Sequence, residues 1–244
     1  MRFTTPPAKV DEENPYWISF SDLMSGILVI FILAALALII ELTQRTEDID
    51  ESIKELKQAE QVRQDILNEV KDALDKQNVK VIIADNDTVI RIPEETLTFK
   101  SGQDVIPTSM QKPVMLIGKA LHNAITKNNR FKFLDTVFIE GHTDSIPIKF
   151  GKYWDKGNWG LSADRAITIW NLWRESLEVL PTFDGLKNNS NENLFSVSGY
   201  AATRRVQLEE KTSEQRAKNR RIDIRFTVKS PSIAKIEAVN ALSE

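Results

Sequence analysis

The chain has 244 residues, a formal net charge of −3, 27% charged and 41% hydrophobic residues, no cysteine and two histidines. Zero cysteine excludes a disulfide framework, a thiolate zinc site, an iron–sulfur cluster and a cysteine nucleophile, and two histidines leave little for a metal site or a His relay. The mild acidity offers no net basic field to release counterions, which argues against nucleic acid as a partner.

Residues 1–15 read as a polar tail with Pro6, Pro7 and Pro15. Leu23 to Ile40 is an uncharged run of 18 residues. Extended back to Tyr16 it reaches 25 residues. At about 1.5 Å per residue that length crosses a hydrocarbon core of about 30 Å with some tilt. A transmembrane helix is therefore expected over 16–40, with Tyr16 and Trp17 at the interface. A cleaved signal is not expected, because Asp11, Glu12 and Glu13 replace a basic leader and no A-x-A-like site follows. The tail carries Arg2 and Lys9, whereas residues 41–77 hold six Lys/Arg against eleven Asp/Glu. Positive charge favours the cytoplasm, so the N-terminus is expected inside and everything from Glu41 outside an inner membrane.

Asp22 lies inside the apolar stretch. A charged carboxylate there costs at least a few kcal/mol unless it faces a protein interior or a water path. Two readings stand at this point: a carboxylate that carries an ion, or a helix cap by Ser21 or Asp22 at headgroup level. Ser25 and Gly26, one turn on, would let another helix approach.

Residues 41–78 contain no Gly or Pro and have helical spacing. Ile49, Ile53 and Leu56 fit one seam. Ala59, Val62, Ile66, Val70 and Ala73 continue it after a register shift, as in a short parallel coiled coil that dimerises the chain. Residues 79–229 read as one α+β domain. Strands are expected at Val79–Ala84 and Thr88–Ile92 around an Asp85-Asn86-Asp87 turn, with a short piece at Thr96–Phe99. Pro107 opens a helix to about Lys127, and Thr136–Glu140 is a buried strand ending at Gly141. A helix follows over Ser162–Glu178, then a strand at Leu194–Ser198. Arg221–Val228 alternates with period two. This order implies helices on one face of a small mixed sheet. Residues 230–244 read as a tail.

The stretch Pro15-Tyr16-Trp17-Ile18-Ser19-Phe20-Ser21-Asp22-Leu23-Met24 resembles the start of the B subunits of bacterial ion-driven stator units, the MotB-like family. The resemblance implies that Asp22 binds the translocated ion, a proton or sodium, with no other cofactor. It also implies a multi-span A subunit as partner, five A around two B, with ion passage driving rotation. Within the family the wording and length are nearest the Zorya anti-phage branch rather than the flagellar one.

Glu140-Gly141-His142-Thr143-Asp144, Leu161-Ser162-Ala163-Asp164-Arg165-Ala166, Ser198-Gly199-Tyr200 and Arg216 to Ile224 occur in that order. Together they resemble the OmpA-like peptidoglycan-binding domain. By that resemblance Asp144 and Arg165 clamp the diaminopimelate of the peptide stem, and Thr143, Asn158, Asn219 and Arg220 add polar contacts. The chemistry suits the ligand: a carboxylate takes an ammonium and a guanidinium fork takes a carboxylate. On spacing alone, Asp144 capping a turn and Arg165 pairing with Asp164 or Glu140 remain alternatives. The stretch between Asp144 and Leu161 is longer than in common outer-membrane members, and Asn158-Trp159-Gly160 resembles the stator version. Its aromatics Phe150, Tyr153, Trp154 and Trp159 either rim the cleft or pack the loop.

His142 has no evident third ligand nearby in sequence, so a packed or hydrogen-bonded histidine is expected rather than a metal site. A wall hydrolase using Asp144 and Glu140 is disfavoured, because Arg165 reads as a binding residue and no G-x-S-x-G motif occurs. No enzyme activity is expected. A passive membrane-to-wall tether is the main competing reading.

Overall fold

A computed structural model describes residues 15–229. The tails 1–14 and 230–244 lie outside the described residues. Of the described residues, 15–52 fall in one compact unit, and a second unit begins at Ile53.

Helix α1 runs over Pro15–Asp75. Its N-terminal portion is long and apolar enough to cross a membrane, and it is the one such helix among the described residues. Leu28, Ile30, Phe31 and Leu38 are exposed along it. Asp22 is exposed on the same stretch.

The last turns of α1 differ from the expected coiled coil. Ile66, Leu67, Val70 and Leu74 are fully buried in one core with Ile90, Leu121, Ile125 and Phe226, and Val62 and Ala73 pack against it. The stripe expected to face a partner helix is covered by the chain's own domain. The domain thus starts well before residue 79, while Ile53 stays exposed. Truncating Leu67 or Leu74 to alanine is expected to cost about 2–4 kcal/mol. Thermal unfolding of the full chain checks this: a stripe used only for self-association would give a loss that depends on protein concentration.

Strands β1 (Ile82–Ala84) and β2 (Val89–Ile92) form a hairpin. Asp85, Asn86 and Asp87 between them all take positive φ near +54°, which short polar side chains tolerate. Thr96–Phe99 is not a strand. The Thr96 and Leu97 amides both donate to the Pro93 carbonyl, closing a turn instead. Helix α2 covers Thr108–Thr126. Strand β3 (Leu134–His142) runs past Gly141, and helix α3 (Gly157–Ser176) begins earlier than expected, its first turn hidden by Gly157 and Gly160. Strand β4 is Phe195–Gly199, α4 is Ser213–Ala217 and β5 is Arg221–Val228.

The sheet has the order β1-β2-β5-β3-β4. Only β3 and β4 are parallel, and α3 supplies the crossover between them. Alternation sends Ile90, Ile92, Val137, Ile139, Ile222, Ile224 and Phe226 into the core. Arg91, Glu140, Asp223 and Arg225 occupy the intervening strand positions. The α+β expectation therefore holds.

Candidate functional site

Two glycines bring α3 onto the strand ends. A Cβ on Gly141 would lie 1.9 Å from the Ser162 carbonyl oxygen, and one on Gly199 would lie 2.5 Å from the Ala163 nitrogen. The first turns of α3 therefore cross directly over the ends of β3 and β4. That crossing sets Arg165 beside the loop carrying Thr143 and Asp144.

The result is a cleft of about 340 Å³ lined by Asp144, Arg165, Arg220, Glu94, Phe99 and Phe150, among others. Arg165 is only 5% exposed. Its Nε donates to the Gln103 carbonyl at 3.0 Å and its Nη2 to the Lys100 carbonyl at 3.3 Å. Its guanidinium carbon sits 4.7 Å from the Phe99 ring centre. Among the described residues no carboxylate bonds it. Burial pushes its pKa down to about 10, so it remains a cation at neutral pH. Glu94 and Asp144 attract this buried cation across the cleft without bonding it, so its guanidinium still lacks a bonded carboxylate.

Asp144 is also buried. Its Oδ2 accepts from Arg220 Nη1 at 2.7 Å and its Oδ1 from the Ile146 amide at 3.2 Å. The alternative pairing of Arg165 with Asp164 or Glu140 does not form. Asp164 instead accepts from the Tyr153 hydroxyl at 3.1 Å and meets Lys152 Nζ at 3.1 Å. Lys152 also binds Asp104 at 2.9 Å, a clasp that fastens the insert. Phe150 of that insert lies over Gly102, where a Cβ would come within 2.5 Å of the ring. Trp154 and Trp159 are exposed and stand outside the cleft lining.

The other residues of the sequence expectation divide. Thr143 and Asn158 line the cleft, but their polar groups serve the loop. Thr143 Oγ1 donates to the Asp144 carbonyl at 2.9 Å. Asn158 Nδ2 donates to the carbonyls of Asp144 and Ile146, and its Oδ1 accepts from the Ile148 amide. Asn219 is fully buried and is not among the lining residues. Its Oδ1 accepts from the Val206 and Gln207 amides at 2.8 and 2.9 Å, and its Nδ2 donates to the Gln207 carbonyl and to Glu210. Glu210 in turn accepts from the Ser145 amide at 2.9 Å. Asn219 therefore shapes the loop rather than offering a ligand contact. Glu94, beyond every motif quoted from the sequence, enters the site by holding Arg220; Pro93-Glu94-Glu95 after β2 was its only signal.

Glu140 does not line this cleft. Its Oε1 accepts from Arg225 Nε at 2.9 Å, so Glu140 and Asp144 form no acid pair. The fold does bring Glu140 and Asp223 to His142, with one donor atom from each within 4.8 Å of the others. Sequence reading found no third ligand because β5 supplies it from far along the chain. The donor set opposes a dication. Both Asp223 oxygens are bonded by Arg91 at 3.0 Å, and Oδ2 also by Arg221 at 3.0 Å. The guanidiniums of Arg91, Arg204, Arg221 and Arg225 already outnumber the carboxylates of Asp85, Glu140 and Asp223 there, and added positive charge would be repelled.

His142 is buried and stacked on Tyr200 with centroids 5.4 Å apart. Burial pushes its imidazole below the ordinary value, so it is neutral at neutral pH. The unfolded chain takes up a proton below about pH 6.5 while the folded chain resists it. Stability is therefore expected to fall as pH drops through that range, by at most about 1.4 kcal/mol per unit. Denaturant melts of the full chain and of His142→Gln check this: the difference between the two should shrink towards acid pH.

Residues 98–220 match the family model described as the OmpA family. The chain belongs to the OmpA family. The fold of this OmpA-family chain resembles the periplasmic domain of Helicobacter pylori MotB, with 19% identity, 70% of this chain and 93% of that one covered, and a TM-score of 0.50. A putative MotB-like protein from Desulfovibrio vulgaris is similar at 15% identity, 73% and 98% coverage and a TM-score of 0.50. The cell wall anchor of the T6SS from Pseudomonas aeruginosa aligns at 24% identity, 68% and 99% coverage and a TM-score of 0.47. At these identities the likeness is one of fold. No curated protein matches the chain.

Proposed function

We propose that the chain is the B subunit of an ion-driven, stator-type complex of the bacterial inner membrane, anchored to peptidoglycan by its OmpA-family domain. The observation that carries the wall reading is Arg165, a buried cation without a carboxylate, in the same cleft as Asp144. The free end of meso-diaminopimelate carries a carboxylate and an ammonium on one carbon. The carboxylate supplies the bonded partner that Arg165 lacks, and the ammonium goes to Asp144. The insert with Phe150 closes one side of the cleft.

In this reading Asp22 binds and releases the translocated proton or sodium at the interface with a multi-span A subunit, five around two copies of this chain. Dimerisation uses the part of α1 that the core does not cover, where Ile53 is exposed. The acid-rich segment after the span, with Arg2 and Lys9 before it, supports a cytoplasmic N-terminus and a periplasmic domain. The wording around Asp22 favours a Zorya-type anti-phage system over a flagellar motor.

Purifying the tagged full chain from its own host tests the assembly. A multi-span protein is expected to co-purify at about five copies to two, and a chain that comes alone contradicts the stator reading in favour of a passive tether. Sedimentation of the full chain with purified sacculi tests the wall reading, with retention expected.

A further inference from the structure

Glu94 sits on the loop after β2, just before the segment that matches the family model. Its carboxylate takes two bonds from Arg220, Nε to Oε1 at 2.7 Å and Nη2 to Oε2 at 2.6 Å. The remaining Nη1 reaches Asp144 at 2.7 Å. One guanidinium is thus shared between two largely buried carboxylates, bidentate on Glu94 and single on Asp144.

We propose that Glu94 is a positioning residue that holds Arg220 in place, so that a ligand ammonium can take Asp144, and that it thereby makes the cleft prefer a zwitterionic end over a purely anionic one. The proposal rests on the diaminopimelate reading of the cleft. Glu94 and Asp144 stand against Arg165, Arg216 and Arg220 in the cleft lining, a balance of one net positive charge. A zwitterionic end enters without disturbing that balance, and Arg220 gives up one bond while keeping its bidentate pair. The bond to Glu94 is also the chief reason that the Arg220 pKa is raised, ahead of the bond to Asp144.

Without the Glu94 charge the balance tips to two net positive. Asp144 becomes the one carboxylate bonded to Arg220, and the fork is drawn onto it. An incoming ammonium then competes with a guanidinium for its seat and meets a more positive cleft. A carboxylate without an ammonium meets a stronger attraction. Removing Glu94 therefore acts with opposite sign on the two ligands, which a merely structural residue would not do.

Calorimetric titration of the full chain and of Glu94→Gln tests this with two probes. One is a stem tripeptide bearing meso-diaminopimelate. The other is the same peptide with the free amine replaced by hydrogen, its carboxylate kept. The unaltered chain should prefer the first. Glu94→Gln should weaken the first by about tenfold and leave the second equal or tighter, so the preference collapses. Retained binding of the second probe shows that the altered cleft is folded. An unchanged preference, or an equal loss for both probes, overturns the role of Glu94 and leaves the diaminopimelate reading intact. An unaltered chain that binds neither probe overturns that reading, and this inference with it.

Discussion

Arg165→Ala is expected to abolish retention of the full chain by purified sacculi, with affinity falling about a hundredfold or more. The size follows from burial. Arg165 is 5% exposed and is bonded only to backbone carbonyls, so a ligand carboxylate would complete a desolvated, charge-assisted pair. Removing the guanidinium leaves that carboxylate buried without a partner, the costly half of breaking such a pair. Lysine is expected to recover little, because its point charge cannot reproduce a fork held by two carbonyls and the Phe99 ring. Folding should suffer far less than binding, since the deleted cation has no carboxylate to lose. Asp144→Ala should also abolish retention, while Arg220 keeps its two bonds to Glu94. A surface role for either residue predicts undiminished sedimentation.

Asp22→Asn is expected to eliminate ion-driven activity while leaving membrane insertion, partner co-purification and sacculus retention intact. An amide has nearly the same shape but cannot exchange a proton or pair with sodium. Ion flux in vesicles reads the effect, and the current should fall to that of vesicles without the complex. Flux through the unaltered complex should follow membrane potential at about 2.3 kcal/mol per charge per 100 mV. Full activity in the Asp22→Asn chain would reduce Asp22 to a helix cap and the protein to a tether. Because the mutated carboxylate and the wall cleft lie in different parts of the chain, the two phenotypes should separate cleanly.

Periodicity made much of the fold legible. The alternation of Arg221–Val228 announced β5 with its faces correctly divided, and the Asp85-Asn86-Asp87 run announced a turn whose residues all take positive φ. It failed where a pattern has two physical solutions. The apolar stripe of Ile66 and Val70 buries equally well on a partner helix or on the chain's own sheet, and spacing does not distinguish them. The start of α3 was obscured because Gly157 and Gly160 read as loop, whereas Gly160 lies inside the helix. At the site, motif order led to Asp144, Arg165 and Arg220, which do meet in one cleft. Asn219 lies next in sequence to Arg220 yet spends its amide on the backbone of Val206 and Gln207. Glu94 was invisible because its partner Arg220 lies 126 residues away.

In the proposed wall reading, the cleft recognises a carboxylate and an ammonium on one carbon through Arg165 and Asp144. Calorimetric titration of the full chain with two stem tripeptides, one bearing meso-diaminopimelate and one bearing lysine in its place, tests it most directly. Lysine keeps the ammonium and lacks the carboxylate that Arg165 requires. The diaminopimelate peptide is expected to bind and the lysine peptide to give no measurable heat; equal affinity for the two would contradict the account.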